Sequence, residues 1–216
     1  MIKLLTSVVA LAGMVLIFSS CNDESEAGPG ETDTFIKLFG SENQETAKDM
    51  IVESSGNVLL LSTQEIEDDN QQISEKIKVR YVDNLGNLLW ENSYPEGDFE
   101  ETELRYLASA VTPHSTGYLI VGESIKANNQ SHLLILNIDP NGNELVSTEF
   151  PVNAGNTAIR GVDLAINSMN EIKVTAFVDS TSNNYWVGTF NDNLENLPEC
   201  SFFYSAASTN PTMLKS

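Results

Sequence analysis

The chain has 216 residues, of which 31 are acidic and 11 are basic, so its formal net charge is −20 at pH 7. An acidic excess of this size repels phosphate groups and anionic lipid headgroups, which argues against nucleic acid as a partner. With two cysteines in the whole chain, the sequence excludes a disulfide scaffold and a cysteine-based metal site.

Residues 1–20 have the form of an export signal. Lys3 lies in a short charged start, residues 4–18 are an uncharged apolar run, and the run ends in "FSSC" at Cys21. This resembles a bacterial lipoprotein signal with its lipobox, which implies cleavage before Cys21 and lipidation of its sulfur. The alternatives are an ordinary signal peptide and a transmembrane anchor, for which the run is short of the usual 20 or so residues.

Residues 21–33, the lipidated cysteine and "NDESEAGPGETD", are polar, acidic and contain glycine and proline. Such a segment buries little apolar surface, so it predicts a flexible acidic tether. The acids that follow Cys21 resemble surface-export signals of Bacteroidetes lipoproteins, although a solvated linker alone would have the same composition. We expect a protein anchored by lipid in the outer membrane of the cell envelope and exposed at the surface.

Residues 34–204 have a pattern of short strands and turns. Apolar runs rich in Val, Ile, Leu, Tyr and Phe alternate with clusters of Gly, Asn, Asp and Ser. Three turns begin with an aspartate, at Asp83, Asp139 and Asp192, so they recur after 56 and 53 residues. A lone strand at 34–40 is followed by four predicted strands per repeat: 49–54, 57–63, 76–82, 87–94, 107–112, 117–123, 132–138, 143–150, 162–167, 171–177, 184–190 and 196–203.

The residue types of these turns follow from hydrogen bonding and backbone conformation. An aspartate side chain accepts the backbone N–H two residues on, and glycine takes the positive φ that closes the hairpin. In the third copy Glu195 replaces the glycine, so we expect that turn to open differently. The predicted structural turn residues are Asp83, Gly86, Asn87, Asp139, Gly142, Asn143 and Asp192.

Four strands in about 50 residues are typical of β-propeller blades. The segments "DNLGNLLW" and "GYLIVGE" resemble the D-x-x-G-N-x-x-W repeats of propeller-like lipoproteins of the Bacteroidetes, over residues 34 to about 203. The likeness weakens along the chain, since Trp90 is matched by Val146 and then by Glu199. It implies an all-β fold of β-propeller-like repeats with four antiparallel strands per blade, and no agreed activity or site residues.

About three blades plus a partial one are fewer than the four to eight that close a propeller. We therefore expect either an open arc or a fragment of a larger propeller, of which the fragment is favoured. Residues 205–216 are then a polar tail or the start of a truncated next repeat.

Two acidic clusters, "EIEDD" at 65–69 and "EGDFEETE" at 96–103, lie in predicted loops. Loops on a rigid scaffold are where binding residues usually sit, but a solvated surface has the same composition. Paired carboxylates also serve Ca²⁺ sites and glycosidases, and neither cluster has the spacing of an EF-hand. The candidate binding residues are Glu65, Glu67, Asp68, Asp69, Asp98, Glu100, Glu101 and Glu103.

No motif for nucleophilic hydrolysis or nucleotide binding occurs, and the two histidines, His114 and His132, fall in different parts of a repeat. Four aromatic residues could form a sugar platform, although a repeated position such as Trp90 favours packing between blades: Trp90, Trp186, Tyr94 and Tyr185. The sequence thus predicts a noncatalytic module without cofactor that binds a protein or glycan at the cell surface. A structural envelope component and a carbohydrate-active enzyme are the alternatives.

Overall fold

The computed structural model describes residues 39, 43–67, 73–96, 103–150, 158–179, 184–195 and 202–205, and structural statements refer to these residues. They contain twelve β-strands and no helix, which confirms the all-β prediction. Each strand overlaps one predicted from the sequence. The strands are β1 (Glu45–Val52), β2 (Val58–Glu67), β3 (Ile73–Val82), β4 (Leu88–Tyr94), β5 (Glu103–His114), β6 (Gly117–Lys126), β7 (Ser131–Ile138), β8 (Glu144–Phe150), β9 (Ala158–Ile166), β10 (Ile172–Asp179), β11 (Asn184–Phe190) and β12 (Phe202–Ser205).

The strands form three antiparallel meanders of four strands each. We call β1–β4 the first meander, β5–β8 the second and β9–β12 the third. Within each meander, consecutive strands pair in antiparallel register. The predicted lone strand at 34–40 lies outside the described residues except for Phe39, and the described strands form no closed ring.

The first two meanders are joined into one eight-stranded sheet, which the sequence did not predict. β4 pairs with β3 only from Ile77 onward, so the beginning of β3 has a free edge. β5 pairs there in parallel, through Glu75 and Arg105, and the guanidinium of Arg105 also binds the Glu75 carboxylate. The free edge is thereby capped by a strand of the next meander.

The second meander is covered on both faces. Consecutive residues of β6 from Tyr118 to Ser124 are all buried, and so are residues of β7 from Leu133 to Ile138. In β10, by contrast, buried residues alternate with half-buried ones, from Ile172 to Val178. Side chains alternate across a strand, so a continuous apolar run requires neighbours on both sides of the sheet.

Two apolar cores therefore lie on either side of the second meander. One joins it to the first meander, with the buried residues Leu59, Leu61, Ile77, Val79, Tyr94, Tyr106, Ala108, Val111, Tyr118, Ile120, Leu134, Leu136 and Ile138. The other joins it to the third meander, with Ala110, Leu119, Val121, Leu133, Ile135, Ile159, Leu164, Ile172, Val174, Ala176, Val178, Trp186, Phe190 and Leu194.

The first two aspartate turns have the same hydrogen bonds. The Asp139 carboxylate accepts backbone N–H groups of Asn141 and Asn143, both at 2.8 Å, and the side-chain amide of Asn143 at 2.8 Å. Gly142 follows with φ +83°. Asp83 makes the equivalent bonds to residues 85 and 87, so the recurring sequence encodes one recurring loop.

The third turn begins one residue earlier than the sequence predicted. Asn191, not Asp192, accepts the backbone N–H groups of Asn193 and Glu195. Leu194, rather than Glu195, occupies the glycine position, with φ +59°. An asparagine side-chain oxygen accepts the same backbone hydrogen bonds as an aspartate carboxylate. The sequence pattern therefore did not show whether the turn begins at Asn191 or at Asp192.

The Asp139 turn docks on β4 of the preceding meander. Trp90, Asn92 and Tyr94 alternate along β4 and so face the same way. Trp90 Nε1 donates to the Pro140 carbonyl at 3.2 Å, and Asn92 Nδ2 donates to the Gly142 carbonyl at 2.7 Å. The Tyr94 hydroxyl donates to the same carbonyl, and burial raises the pKa of Tyr94. The tryptophan of the repeat motif thus binds the turn of the next repeat.

The junction between the second and third meanders is apolar instead. Val146 and Phe150 hold the places of Trp90 and Tyr94, seven and eleven residues after the turn aspartate. Both pack against the core that contains Leu194, and the Phe150 and Phe190 rings are 4.8 Å apart. At this junction Leu194 stands at the glycine position and Val146 at the tryptophan position. Together they make an apolar contact where the first junction has a hydrogen-bonded one.

Gly142 should not accept a side chain. In Gly142→Ala the new β-carbon would lie 2.7 Å from Trp90 Cζ3, at a φ of +83°. We expect the free energy of unfolding to fall by about 2–4 kcal/mol, measured by urea denaturation.

Gly56→Ala is the matched control, because Gly56 has φ +85° and its β-carbon would meet Asn84 Cβ at 3.0 Å, within the same meander. We expect Gly56→Ala to lower the free energy of unfolding by about 1 kcal/mol. Equal losses for the two substitutions would contradict the importance of the contact with Trp90.

Candidate functional site

The antiparallel order gives the three meanders two distinct ends. At the turn end lie the tight connections at 53–57, 83–87, 115–116, 139–143, 167–171 and 191–195. At the loop end lie the connections after β2, β4, β6, β8 and β10. Both acidic segments were predicted to be loops, which is wrong for Glu65 and Glu67 at the end of β2 and for Glu103 at the start of β5. These strand ends, and Glu96 after β4, lie at the loop end.

The described members of these clusters differ in exposure. Glu65 is half-buried, whereas Glu67 and Glu96 are exposed. Glu103 is the first residue of β5. Asp68, Asp69, Asp98, Glu100 and Glu101 lie outside the described residues, as does Cys21.

A polar network lies at the loop end on the second meander. Glu149 accepts hydrogen bonds from the Tyr106 hydroxyl at 2.9 Å and pairs with Lys126 Nζ at 2.6 Å. His132 Nδ1 lies 3.3 Å from the same carboxylate. Burial acts to raise the pKa of Glu149, but the groups around it, Lys126 first among them, outweigh burial and lower it. The network joins four strands and keeps this carboxylate ionised.

A second carboxylate is buried toward the third meander. Glu123 is 5% exposed and accepts a hydrogen bond from the Ser131 hydroxyl. Burial raises the pKa of Glu123, although Ser131 and two arginines act in the opposite direction. Ser131 Oγ also lies 2.7 Å from the Ile159 carbonyl, so this group joins the second meander to β9.

Two tyrosines hold one carboxylate at the turn end. Glu53 accepts hydrogen bonds from the Tyr118 hydroxyl and, at 2.6 Å, from the Tyr81 hydroxyl. Tyr118 belongs to the second meander and the other two residues to the first. These bonds, from Tyr118 and then from Tyr81, lower the pKa of Glu53, while burial raises the pKa of Tyr118. The arrangement is a charged hydrogen-bonded link between two meanders.

Arg80 lies on the first meander beside a cavity of about 500 Å³. It is 6% exposed, and its guanidinium binds Glu45 through two nitrogens and Glu91 through Nε at 3.0 Å. The hydrogen bonds that Arg80 donates to Glu45 raise the pKa of Arg80. The cavity has the size of a small-ligand pocket. Its lining includes the apolar Phe39, Met50 and Leu60 and the charged Glu45, Lys48 and Arg80.

Most of the candidate aromatic residues pack against other residues of the protein. Tyr94 is fully buried, Trp186 is 6% exposed, and Trp90 stacks on Tyr81 with ring centroids 5.6 Å apart. Tyr185 is 45% exposed, on the outer face of the third meander. Packing between meanders, rather than a sugar platform, therefore accounts for both tryptophans.

The described residues contain no group of three or more His, Cys, Asp or Glu side chains placed to hold a metal ion. In that part of the chain no helix is long and apolar enough to cross a membrane. The two histidines lie far apart in the meander, at the turn end and at the loop end.

No protein-family model matches this chain, and no curated protein matches it in sequence. The expected membership of the repeat lipoproteins with D-x-x-G-N-x-x-W motifs therefore stays a prediction.

The sequence did not reveal the charged residues Glu53, Arg80, Glu123 and Glu149, of which Arg80 and Glu123 are buried and the other two half-buried. Each lies in or beside an apolar strand, where a charged side chain is costly without a partner. That placement was the available signal, because "VRYV" and "IVGES" each carry one charge within an apolar run. Their partners on other strands range from Ser131, 8 residues from Glu123, to Tyr118, 65 residues from Glu53, and the sequence alone does not identify them.

Replacing Tyr118 with Phe should raise the pKa of Glu53 toward its ordinary value, because the Tyr118 hydrogen bond contributes most to lowering it. A carboxyl whose pKa is lowered by folding stabilises the protein above its unfolded pKa, about 4.3, and this stabilisation is lost as the pH falls through the folded value. Carbon-detected NMR of the Glu53 carboxyl between pH 2 and pH 7 measures the shift.

We also expect Tyr118→Phe to cost about 1 kcal/mol of stability at pH 7. Tyr185→Phe is the control, because Tyr185 is exposed on another meander and should leave the Glu53 titration unchanged. An unchanged titration in Tyr118→Phe would show that the Tyr118 hydroxyl does not hold the carboxylate.

Proposed function

We propose that this protein is a noncatalytic, envelope-anchored binding module that holds its partner at the loop end. The observation that carries the proposal is topological. Two acidic connections, at 68–72 and 97–102, leave the same end of strands that are held together by the pairing of Glu75 with Arg105. Loops presented side by side on a rigid sheet are suited to binding.

The rigidity of the scaffold supports this role. The meanders are fastened to one another by Tyr118 and Glu53, by Trp90 and the Asp139 turn, and by Ser131 and β9. The ionisable side chains in these contacts are engaged by other side chains of the protein. These contacts fix the positions of the strands from which the acidic segments continue.

The charge at the loop end indicates the chemistry of the partner. The sequence of the two acidic segments, 65–69 and 96–103, contains nine acidic residues and no basic residue. Such a surface attracts a cationic protein segment, or a protein or glycan bridged by Ca²⁺. The exposed carboxylates of Glu67 and Glu96 are the described part of this surface.

We further propose that the meanders are propeller-type blades, either in an open arc or as a fragment of a larger propeller. Four antiparallel strands each, packed face to face, support this architecture. The residue types on the outer face of the third meander support an open end: Lys173 and Thr175 stand where the second meander has Leu119 and Val121. Terminal repeats of stacked folds carry such polar faces.

Lipid anchoring at Cys21 completes the proposal, based on the signal in residues 1–20. In its bacterial host, Cys21→Ser should abolish acylation and move the protein from the membrane fraction to the soluble fraction. Mass spectrometry of the mature N-terminus and fractionation measure both effects. A native protein that carries no lipid would contradict the anchor while leaving the binding proposal open.

Neutralising Glu67 and Glu96 to Gln should weaken binding of an oligolysine peptide about threefold to tenfold at low salt, with little change in melting temperature. Neutralising the whole of both clusters should weaken it further. Fluorescence anisotropy measures affinity, and a glycan array with and without Ca²⁺ tests the sugar partners.

The matched control is the double variant Glu144→Gln and Asp163→Asn, which removes two exposed charges away from the loop end. If both double variants bound oligolysine equally weakly, the effect would be due to the net charge of the protein and not to the loop end. Turnover of glycosides by the purified protein, abolished by one carboxylate substitution, would overturn the noncatalytic assignment.

A further inference from the structure

One imidazole nitrogen is buried without a hydrogen-bond partner at the junction of the second and third meanders. His114 ends β5, and its side chain is 3% exposed. Its Nε2 atom makes no hydrogen bond. The nearest charged group is the Asp192 carboxylate of the third meander, whose Oδ1 lies 3.7 Å from Nε2.

The other ring nitrogen fixes the tautomer. His114 Nδ1 lies 2.8 Å from Thr116 Oγ1, and the Thr116 hydroxyl donates its proton to Asn137 Oδ1 at 3.1 Å. Because a hydroxyl has one proton, Thr116 can only accept from His114, so Nδ1 carries the proton of the neutral ring. Nε2 is then a bare lone pair that faces a carboxylate.

We propose that His114 and Asp192 form a proton-operated latch between the second and third meanders. When the imidazole is neutral, the Nε2 lone pair and the carboxylate gain nothing from each other. When Nε2 takes up a proton, it becomes a donor 3.7 Å from Asp192 Oδ1, and a small movement of the exposed carboxylate completes a charge-assisted hydrogen bond. Protonation thus fastens the β5–β6 hairpin to the turn at 191–195.

The direction of the effect follows from the state that holds the bond. The hydrogen bond between His114 and Asp192 exists only while Nε2 carries a proton, so the contribution of this pair to the junction is larger at low pH than at high pH.

Other acids at the turn end are held by their own turns. The Asp139 carboxylate is bound by Asn141 and Asn143, Glu171 by Asn167 and Lys173, and Glu195 by Asn191. Thr116, which contacts the imidazole, and Asn137, which is hydrogen-bonded to Thr116, are uncharged. Among the described residues, Asp192 is the one carboxylate within 4.0 Å of the ring. It is 60% exposed, so it can move and the ion pair will be screened by salt.

The chain allows a clean test because it has two histidines. The other, His132, pairs with Glu149, and His132→Gln removes its signal and its titration. In that background, nitrogen NMR of the remaining ring should show the proton on Nδ1 alone at pH 8. A proton on Nε2 alone at that pH would overturn the tautomer and the proposal.

A double-mutant cycle then isolates the pair. We expect His114→Gln and Asp192→Asn to couple about two- to fivefold in the unfolding equilibrium constant at pH 5.5, and not at pH 8. Glu195→Gln is the matched control from the same turn and should show no pH-dependent coupling with His114. Coupling that is absent at pH 5.5, or equal at both pH values, would overturn the latch.

Asp192→Asn also gives an answer by itself, since the exposed side chain can be replaced without opening the core. The stability difference between the protein and this variant should grow as the pH falls from 8 to 5.5. A difference independent of pH would overturn the proposal even if His114→Gln failed to fold.

Discussion

The second meander is the constraint on which the rest of the structure depends. A four-stranded sheet has two faces, and an apolar face exposed to water is unfavourable. In this protein the first and third meanders each bury one face, and the second meander covers both of them with its own two faces. Strands β6 and β7 are buried almost throughout, so neither outer meander would have a complete core without them.

Polar side chains then fix how the meanders sit on one another. Apolar burial is non-directional and tolerates sliding, whereas hydrogen bonds require defined positions. Between the first and second meanders this role falls to Trp90 with Pro140 and to Glu53 with Tyr118. Between the second and third meanders the contacts are more apolar, with Leu194 and Phe150, and Ser131 at the loop end makes a directional contact by accepting the Ile159 N–H at 3.2 Å.

The two ends of the meanders differ. The turn end is composed of short loops, several of which are closed by their own hydrogen bonds, such as those of Asp83 and Asp139. At the loop end the described acidic residues Glu67 and Glu96 are exposed. The proposed binding role assigns the loop end to the partner, and the proposed contact of His114 with Asp192 would give the turn end a response to pH.

The sequence by itself determined the strands, the turns at Asp83 and Asp139, and the repeat. Strand periodicity and turn chemistry are local properties, so the alternation of apolar residues and the Gly-Asn pairs were sufficient. It placed the third turn one residue late, because Asn191 performs the role of an aspartate.

Only the tertiary structure decided which surfaces meet. The partners of Glu53, Arg80 and Glu123 lie on other strands, and Trp90 binds a turn 50 residues away in sequence. The position of the unpaired His114 Nε2 near Asp192 likewise depends on how the second and third meanders pack. Such pairings depend on register and sheet packing across long stretches of chain, to which local periodicity is insensitive.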